Sequence, residues 1–224
     1  MIPLRDTIPS RSFPIVNIGL VVVNVLVFLF EAGLSEPAQE AFLIAFAVIP
    51  ARLMTPPVFS DWYTLLTAQF LHGSLLHLAS NMLALFIFGD NVEDRLGHLR
   101  FLLFYLLCGL AGSLLHIYVD PSSPVPALGA SGAIAGVLAG YMALFPNARV
   151  LTFVPIFVIP WIIGIPAALW ALGWFLSQVL SGVASLGQEG GGVGFWAHVG
   201  GFVAGLILVW PLRRRDYVPL PSPR

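Results

Sequence analysis

Charge is what this sequence has least of. Of its 224 residues only 9% are Asp, Glu, Lys or Arg, and lysine is missing altogether. Soluble domains carry about 25% charged residues. Hydrophobic residues make up 58%, and the mean hydropathy is +0.91. That balance argues against a water-soluble fold and for a polytopic helical membrane protein. There is no basic cluster of the kind that binds nucleic acid, and a net charge of −1 points to no charged partner. A single cysteine, Cys108, excludes an intrachain disulfide. Set in an apolar run, it reads as a small buried hydrophobe. There is no internal repeat and no second domain, so residues 1–224 read as one membrane domain. The first apolar run is long enough to span, and no small-residue cleavage site follows it, so it does not read as a signal peptide.

What is present is a series of apolar runs near the ~20 residues that a bilayer needs. They predict six transmembrane helices at about 14–31, 74–90, 101–119, 129–145, 161–180 and 195–212, an all-α bundle. The connection 32–70 holds an apolar stretch, 41–49, too short to span, and is expected to lie partly in the membrane surface. A charged turn with Glu93, Asp94, Arg95, His98 and Arg100 is expected after the second span. Residues 150–160 are β-branched and punctuated by proline. Six spans put both ends on one side. Nine of the ten arginines fall there, with only Arg52 on the other. The positive-inside rule makes that side the cytoplasm.

Polar side chains inside spans are costly and are functional candidates by default. Five stand out: His72, His77, Asn81, Ser131 and His198. His77 and Asn81 fall in the first two turns of the second span, Ser131 opens the fourth, and His198 is in the first turn of the sixth. All three spans enter from the outer side, so these groups share one depth, about 5–10 Å inside their helix starts. His77 and Asn81 are four apart and share a helix face. Gly132, Gly136 and Gly140 form a smooth stripe that lets another helix approach backbone to backbone. His198, Gly201 and Gly205 share one face of the sixth span, so packing on that stripe brings His198 toward Ser131. A neutral histidine can take the proton of a serine hydroxyl and make it a nucleophile. The unpaired backbone N–H of Ser131, with His77 and Asn81, makes an oxyanion hole. No carboxylate lies at this depth, so the expectation is a Ser–His dyad and not a triad. Taken singly, a serine in Gly-Ala-Ser-Gly is a packing residue and a membrane histidine a backbone bonder. Their common depth carries the argument.

Gly129-Ala-Ser131-Gly132, together with His198 and the following Gly201 and Gly205, resembles the rhomboid family of intramembrane serine proteases. So do His72, His77 and Asn81 at their spacing, and Gly89, Glu93, Arg95 and Gly97 after them. The resemblance runs from the first span to the sixth. It implies a six-helix core and a serine endopeptidase that cleaves transmembrane substrates near the outer face, with no metal and no cofactor. It makes Ser131 the nucleophile, His198 the base, the Ser131 backbone with His77 and Asn81 the oxyanion hole, and His72 a support for the first loop or the hole. Glu93 and Arg95 read as structural. The implied partners are transmembrane protein substrates and the lipid bilayer, and the implied location is the plasma membrane of a prokaryote. Some members carry a Trp-Arg pair in the first loop, where this chain has Trp62, Tyr63 and Thr64. Some carry a tyrosine four residues after the serine, where this chain has Ala135. The glycine-rich loop Gly187 to Gly194 is expected to cap the site, and the fifth span, with Trp161, Trp170, Trp174 and Phe175, to be a lateral gate. Two rivals remain: a rhomboid-like membrane protein that binds transmembrane helices without cleaving them, and a histidine-lined transporter. The fourth and sixth spans are apolar below Ser131 and His198, which argues against a continuous pore.

Overall fold

A computed structural model describes residues 2–57, 60–156, 159–186 and 194–215. The elements run β1 (Ile2–Asp6), α1 (Ile15–Ala32), α2 (Glu36–Phe46), α3 (Pro50–Met54), α4 (Thr64–Thr67), α5 (Leu75–Leu96), α6 (His98–Val119) and α7 (Ser131–Leu144). They continue with β2 (Arg149–Ile156), β3 (Ile159–Pro166), α8 (Ala167–Ala184) and α9 (Phe195–Leu212). Among the described residues, α1, α5, α6, α8 and α9 are long and apolar enough to cross a membrane. Helix α7 is apolar but has only 14 residues, about 21 Å at 1.5 Å rise per residue.

The short helix is the central one. Gly132 through Tyr141 are all buried, so every face of α7 is covered. A helix apolar on all sides belongs in the middle of a bundle. Its glycine stripe is what allows the burial. A methyl group on Gly201 of α9 would strike the carbonyl of Gly132, and one on Gly205 would lie 2.6 Å from Gly136 Cα. On the same helix, Gly200 meets Ala111 and Gly112 of α6 just as closely. Helix α9 is therefore wedged against α6 and α7 by backbone contact, the packing that small residues give membrane helices.

Helix α5 is longer than the sequence suggested. It runs on to Leu96, so Glu93, Asp94 and Arg95 belong to its last turns and not to a charged loop. The turn into α6 is Gly97 alone, at φ +82°. The acidic residues stay helical because they hold the start of the chain. The Glu93 carboxylate accepts from Val16 N–H at 3.0 Å and Asn17 N–H at 2.7 Å, two donors that the first turn of α1 leaves unpaired. His98 Nδ1 meets the same carboxylate. Asp94 accepts from the hydroxyl of Ser12 at 2.7 Å, and Asp90 from that of Ser10 at 2.6 Å.

The fold is mostly helical but not all-α. Strands β1, β2 and β3 form an antiparallel sheet in that order. Val150, Thr152 and Val154 are β-branched, and Pro155, Pro160 and Pro166 cannot continue a helix. Val150 and Thr152 point inward and are fully buried, two residues apart as the pleat requires. The fifth apolar helix consequently starts at Ala167, and residues 161–166, expected to be helical, are strand. The glycine-rich stretch 187–193 lies outside the described residues.

Asp6 closes this end of the bundle, accepting from the buried Tyr141 hydroxyl at 2.6 Å. Burial raises its pKa to about 6, the Tyr141 bond opposing and Asp90 adding to the shift. The folded chain holds the Asp6 proton up to about pH 6, whereas an unfolded chain releases it near 3.8. The stabilising contribution is thus complete below pH 3.8 and lost as pH rises through 6. Asp6→Asn keeps an acceptor for Tyr141 and removes the ionisation. Its thermal unfolding midpoint in detergent should exceed wild type at pH 8 and match it at pH 4; an equal shift at both values would contradict this account. A second expectation concerns the glycine wedge. Gly205→Ala should destabilise by about 1–3 kcal/mol, the range for overpacking, read as a lowered unfolding midpoint. Gly173→Ala on α8, where a methyl group meets nothing within 4 Å, is expected to be neutral.

Candidate active site

The first turn of α7 presents Ser131. Ala130 caps the helix and Gly129 precedes it at φ +126°, a conformation that glycine alone adopts without strain. Gly129 N–H donates to Ala68 C=O at 2.8 Å, and Val48 and Ala127 exchange a pair of backbone hydrogen bonds. The connection 33–74 therefore clamps the approach to the serine. That connection is itself held by the Arg52–Asp61 ion pair at 2.7 Å, by Tyr63 Oη donating to Ala45 C=O, and by the fully buried Thr64.

The wedge of α9 against α7 brings His198, 7% exposed, over Ser131. Ser131 Oγ and His198 Nε2 are 2.7 Å apart. As first residue of α7, Ser131 has a backbone N–H without an intrahelical acceptor. Ser74 caps α5 by accepting from His77 N–H at 3.1 Å, which sets His77 and Asn81 in the turns that follow. Asn81 Nδ2 donates to His72 Nε2 at 3.0 Å, and the rings of His72 and His77 lie 5.0 Å apart. His72 N–H reaches the buried carboxylate of Glu31 on α1 at 3.4 Å. Burial, then the neighbouring His77, pushes the His72 pKa down to about 4, so its imidazole is neutral at neutral pH.

Gly129 joins the two groups. A methyl group there would stand 2.8 Å from His77 Cε1 and 3.5 Å from Ser131 Oγ, so the imidazole and the hydroxyl flank one small space. All five residues singled out in the sequence thus gather around the start of α7. Among the described residues, no group of three or more His, Cys, Asp or Glu is placed to hold a metal ion.

Three contributors join the site beyond the five: Gln178 and Glu31 were not found in the sequence, and Trp174 was expected only on a gate. Gln178 Oε1 lies 2.7 Å from His198 Nδ1. Trp174 places its ring 5.5 Å from the imidazole, and Glu31 backs His72. A glutamine inside an apolar span was the available signal for the first. The bulky residues of α8 face inward: Trp170 meets Phe88, Trp174 meets His198, and Phe175 stacks on Phe202 at 4.5 Å. Trp161, expected on that helix, is in β3.

Comparison with known proteins gives the family. Residues 60–215 match the family model described as "Rhomboid domain". The chain is 31% identical over 197 residues to "Rhomboid protein 1, mitochondrial" of Saccharomyces cerevisiae, covering 86% of this chain and 51% of that protein. It is 40% identical over 119 residues to "Rhomboid protease GluP" of Bacillus subtilis, covering 52% and 22%. It is 34% identical over 139 residues to "Putative rhomboid protease YdcA" of the same organism, covering 61% and 66%. The chain spans between about a fifth and two thirds of the length of these relatives. It belongs to the rhomboid family and is an integral membrane protein.

The joint at Gly129 yields a direct check. Gly129→Ala should leave the helices in place but displace His77. In histidine-labelled NMR spectra the His77 resonances are expected to move while those of His98, at the start of α6, stay. Unmoved His77 signals would contradict the shared space.

Proposed function

We propose that this chain is an intramembrane serine endopeptidase that hydrolyses peptide bonds in or beside the transmembrane segments of membrane proteins. The 2.7 Å contact between Ser131 Oγ and His198 Nε2, in a chain of the rhomboid family, carries the reading. Ser131 Oγ attacks the scissile carbonyl carbon while His198 Nε2 takes its proton. The developing oxyanion is held by Ser131 N–H with His77 and Asn81, and His72 holds the Asn81 amide in place. His198 returns the proton to the leaving amine. Water then cleaves the acyl-enzyme with the same histidine as base.

The topology we propose takes α7 as a sixth membrane helix and puts both termini in the cytoplasm, with the dyad near the outer face. The arginine distribution supports it. Residues 1–224 act as one membrane domain in this reading. Location in a prokaryotic plasma membrane is carried over from the family resemblance; the printed names of relatives include mitochondrial and chloroplastic proteins and do not select it. Substrates are expected to carry small or helix-breaking residues near the outer face. A helical carbonyl is already hydrogen-bonded, and the helix must unwind before it can be attacked.

The test is cleavage of a single-span substrate in liposomes. Wild type should cleave, and Ser131→Ala and His198→Ala should each reduce the rate at least about 1,000-fold with folding intact. Cleavage that survives Ser131→Ala would overturn the assignment. No cleavage by wild type across several substrates would favour a protein that binds transmembrane helices without cutting them.

A further inference from the structure

We infer that Gln178 is the positioning residue of the His198 base, holding the imidazole in the one tautomer able to accept the Ser131 proton. The inference rests on the dyad reading above. A neutral imidazole has one N–H, and which nitrogen bears it depends on what the other ring edge meets. Here the chain of donors reads in a single direction. Ser177 Oγ donates to Trp174 C=O at 2.6 Å, which leaves its oxygen to accept. Gln178 Nε2 lies 3.0 Å from Ser177 Oγ and donates to it. The amide is thereby oriented, and Oε1 faces His198 Nδ1 at 2.7 Å. A carbonyl oxygen only accepts, so Nδ1 carries the hydrogen. Nε2 is left with its lone pair, 2.7 Å from the Ser131 hydroxyl.

The arrangement takes the place of a triad's third member with an uncharged group. The titratable side chains that act on His198 are His77 from α5 and His116 from α6. Gln178 fixes direction without adding charge. One helical turn earlier on α8, Trp174 lays its ring beside the imidazole. One helix therefore supplies both the edge contact and the face contact. Ala135, buried on α7, contributes neither. Without Gln178 the ring would be free to carry its hydrogen on Nε2 and turn a donor toward the serine.

The experiment compares wild type with Gln178→Leu, Gln178→Met and Gln178→Glu, reading kcat, KM and the histidine 15N spectrum in detergent. The two apolar variants should lower kcat by about 10- to 100-fold with KM within about twofold, the cost of stranding a buried donor. Their His198 signals should shift away from the Nδ1–H form. Gln178→Glu restores an acceptor and should return kcat to within about tenfold of wild type. Its added charge should also move the acid limb of the pH–rate profile upward. Two outcomes would overturn the inference: wild-type kcat in both apolar variants, or a loss of kcat with an unchanged tautomer and no rescue by glutamate. The Nδ1–H form can also be read in the inactive Ser131→Ala protein. Failure of the dyad itself, seen as cleavage independent of Ser131, is thus separate from failure of Gln178.

Discussion

Backbone contact between α7 and α9 is the constraint on which the rest of the structure depends. Gly132 and Gly136 meet Gly201 and Gly205 with no side chain between them. In a bilayer the lipid tails are as apolar as leucine, so helices gain little by hiding apolar surface from them. What remains is close packing, and glycine permits the closest. The distance from Ser131 to His198 follows from that approach. A larger residue in the wedge would meet backbone and push the helices apart. The histidine could be retained in sequence and still be out of reach.

A second set of contacts decides where the ends of the chain go. Buried carboxylates in a membrane protein need donors, and those of α5 find theirs in the first residues of the chain. Glu93 meets the unpaired N–H groups that open α1. Near the other terminus, Arg214 N–H donates to Arg95 C=O beside the Gly97 turn. The junction of α5 and α6 therefore anchors both ends of the described chain. It lies well away from the serine, and its role is to hold the helices on which the polar residues ride.

The legible parts of the fold were those governed by one helix at a time. Apolar runs gave α1, α6 and α9 to within a few residues, and glycine spacing gave the α7–α9 contact. Position along each span was enough to bring Ser131, His198, His77 and Asn81 together, because helices that start at one surface place their first turns at one depth. What stayed hidden depended on partners distant in sequence. Glu93 and Asp94 look like loop residues until Ser12 and the first turn of α1 arrive to donate to them. Residues 150–160 look like a punctuated linker, and 161–166 like the start of a span, until β1 supplies a neighbouring strand. Gln178 looks like a stray polar group in a span, since its partner is twenty residues further on, on another helix.

The three-stranded sheet has a mechanical consequence for α8. Strand β3 is zipped to β2 up to Pro166, so the start of that helix is moored to the chain's first residues. Its far half packs on α9, Phe175 on Phe202 and Gly182 against Phe195 and Trp196. Helix α8 is thus an arm rooted at Pro166 and laid along α9. Gln178 rides about 16–18 Å along the arm, at 1.5 Å per residue. A swing of roughly 10° would carry its amide about 3 Å, as far as the whole length of a hydrogen bond. The sheet at the start of α8 and the imidazole beside its middle are thus linked through one helix.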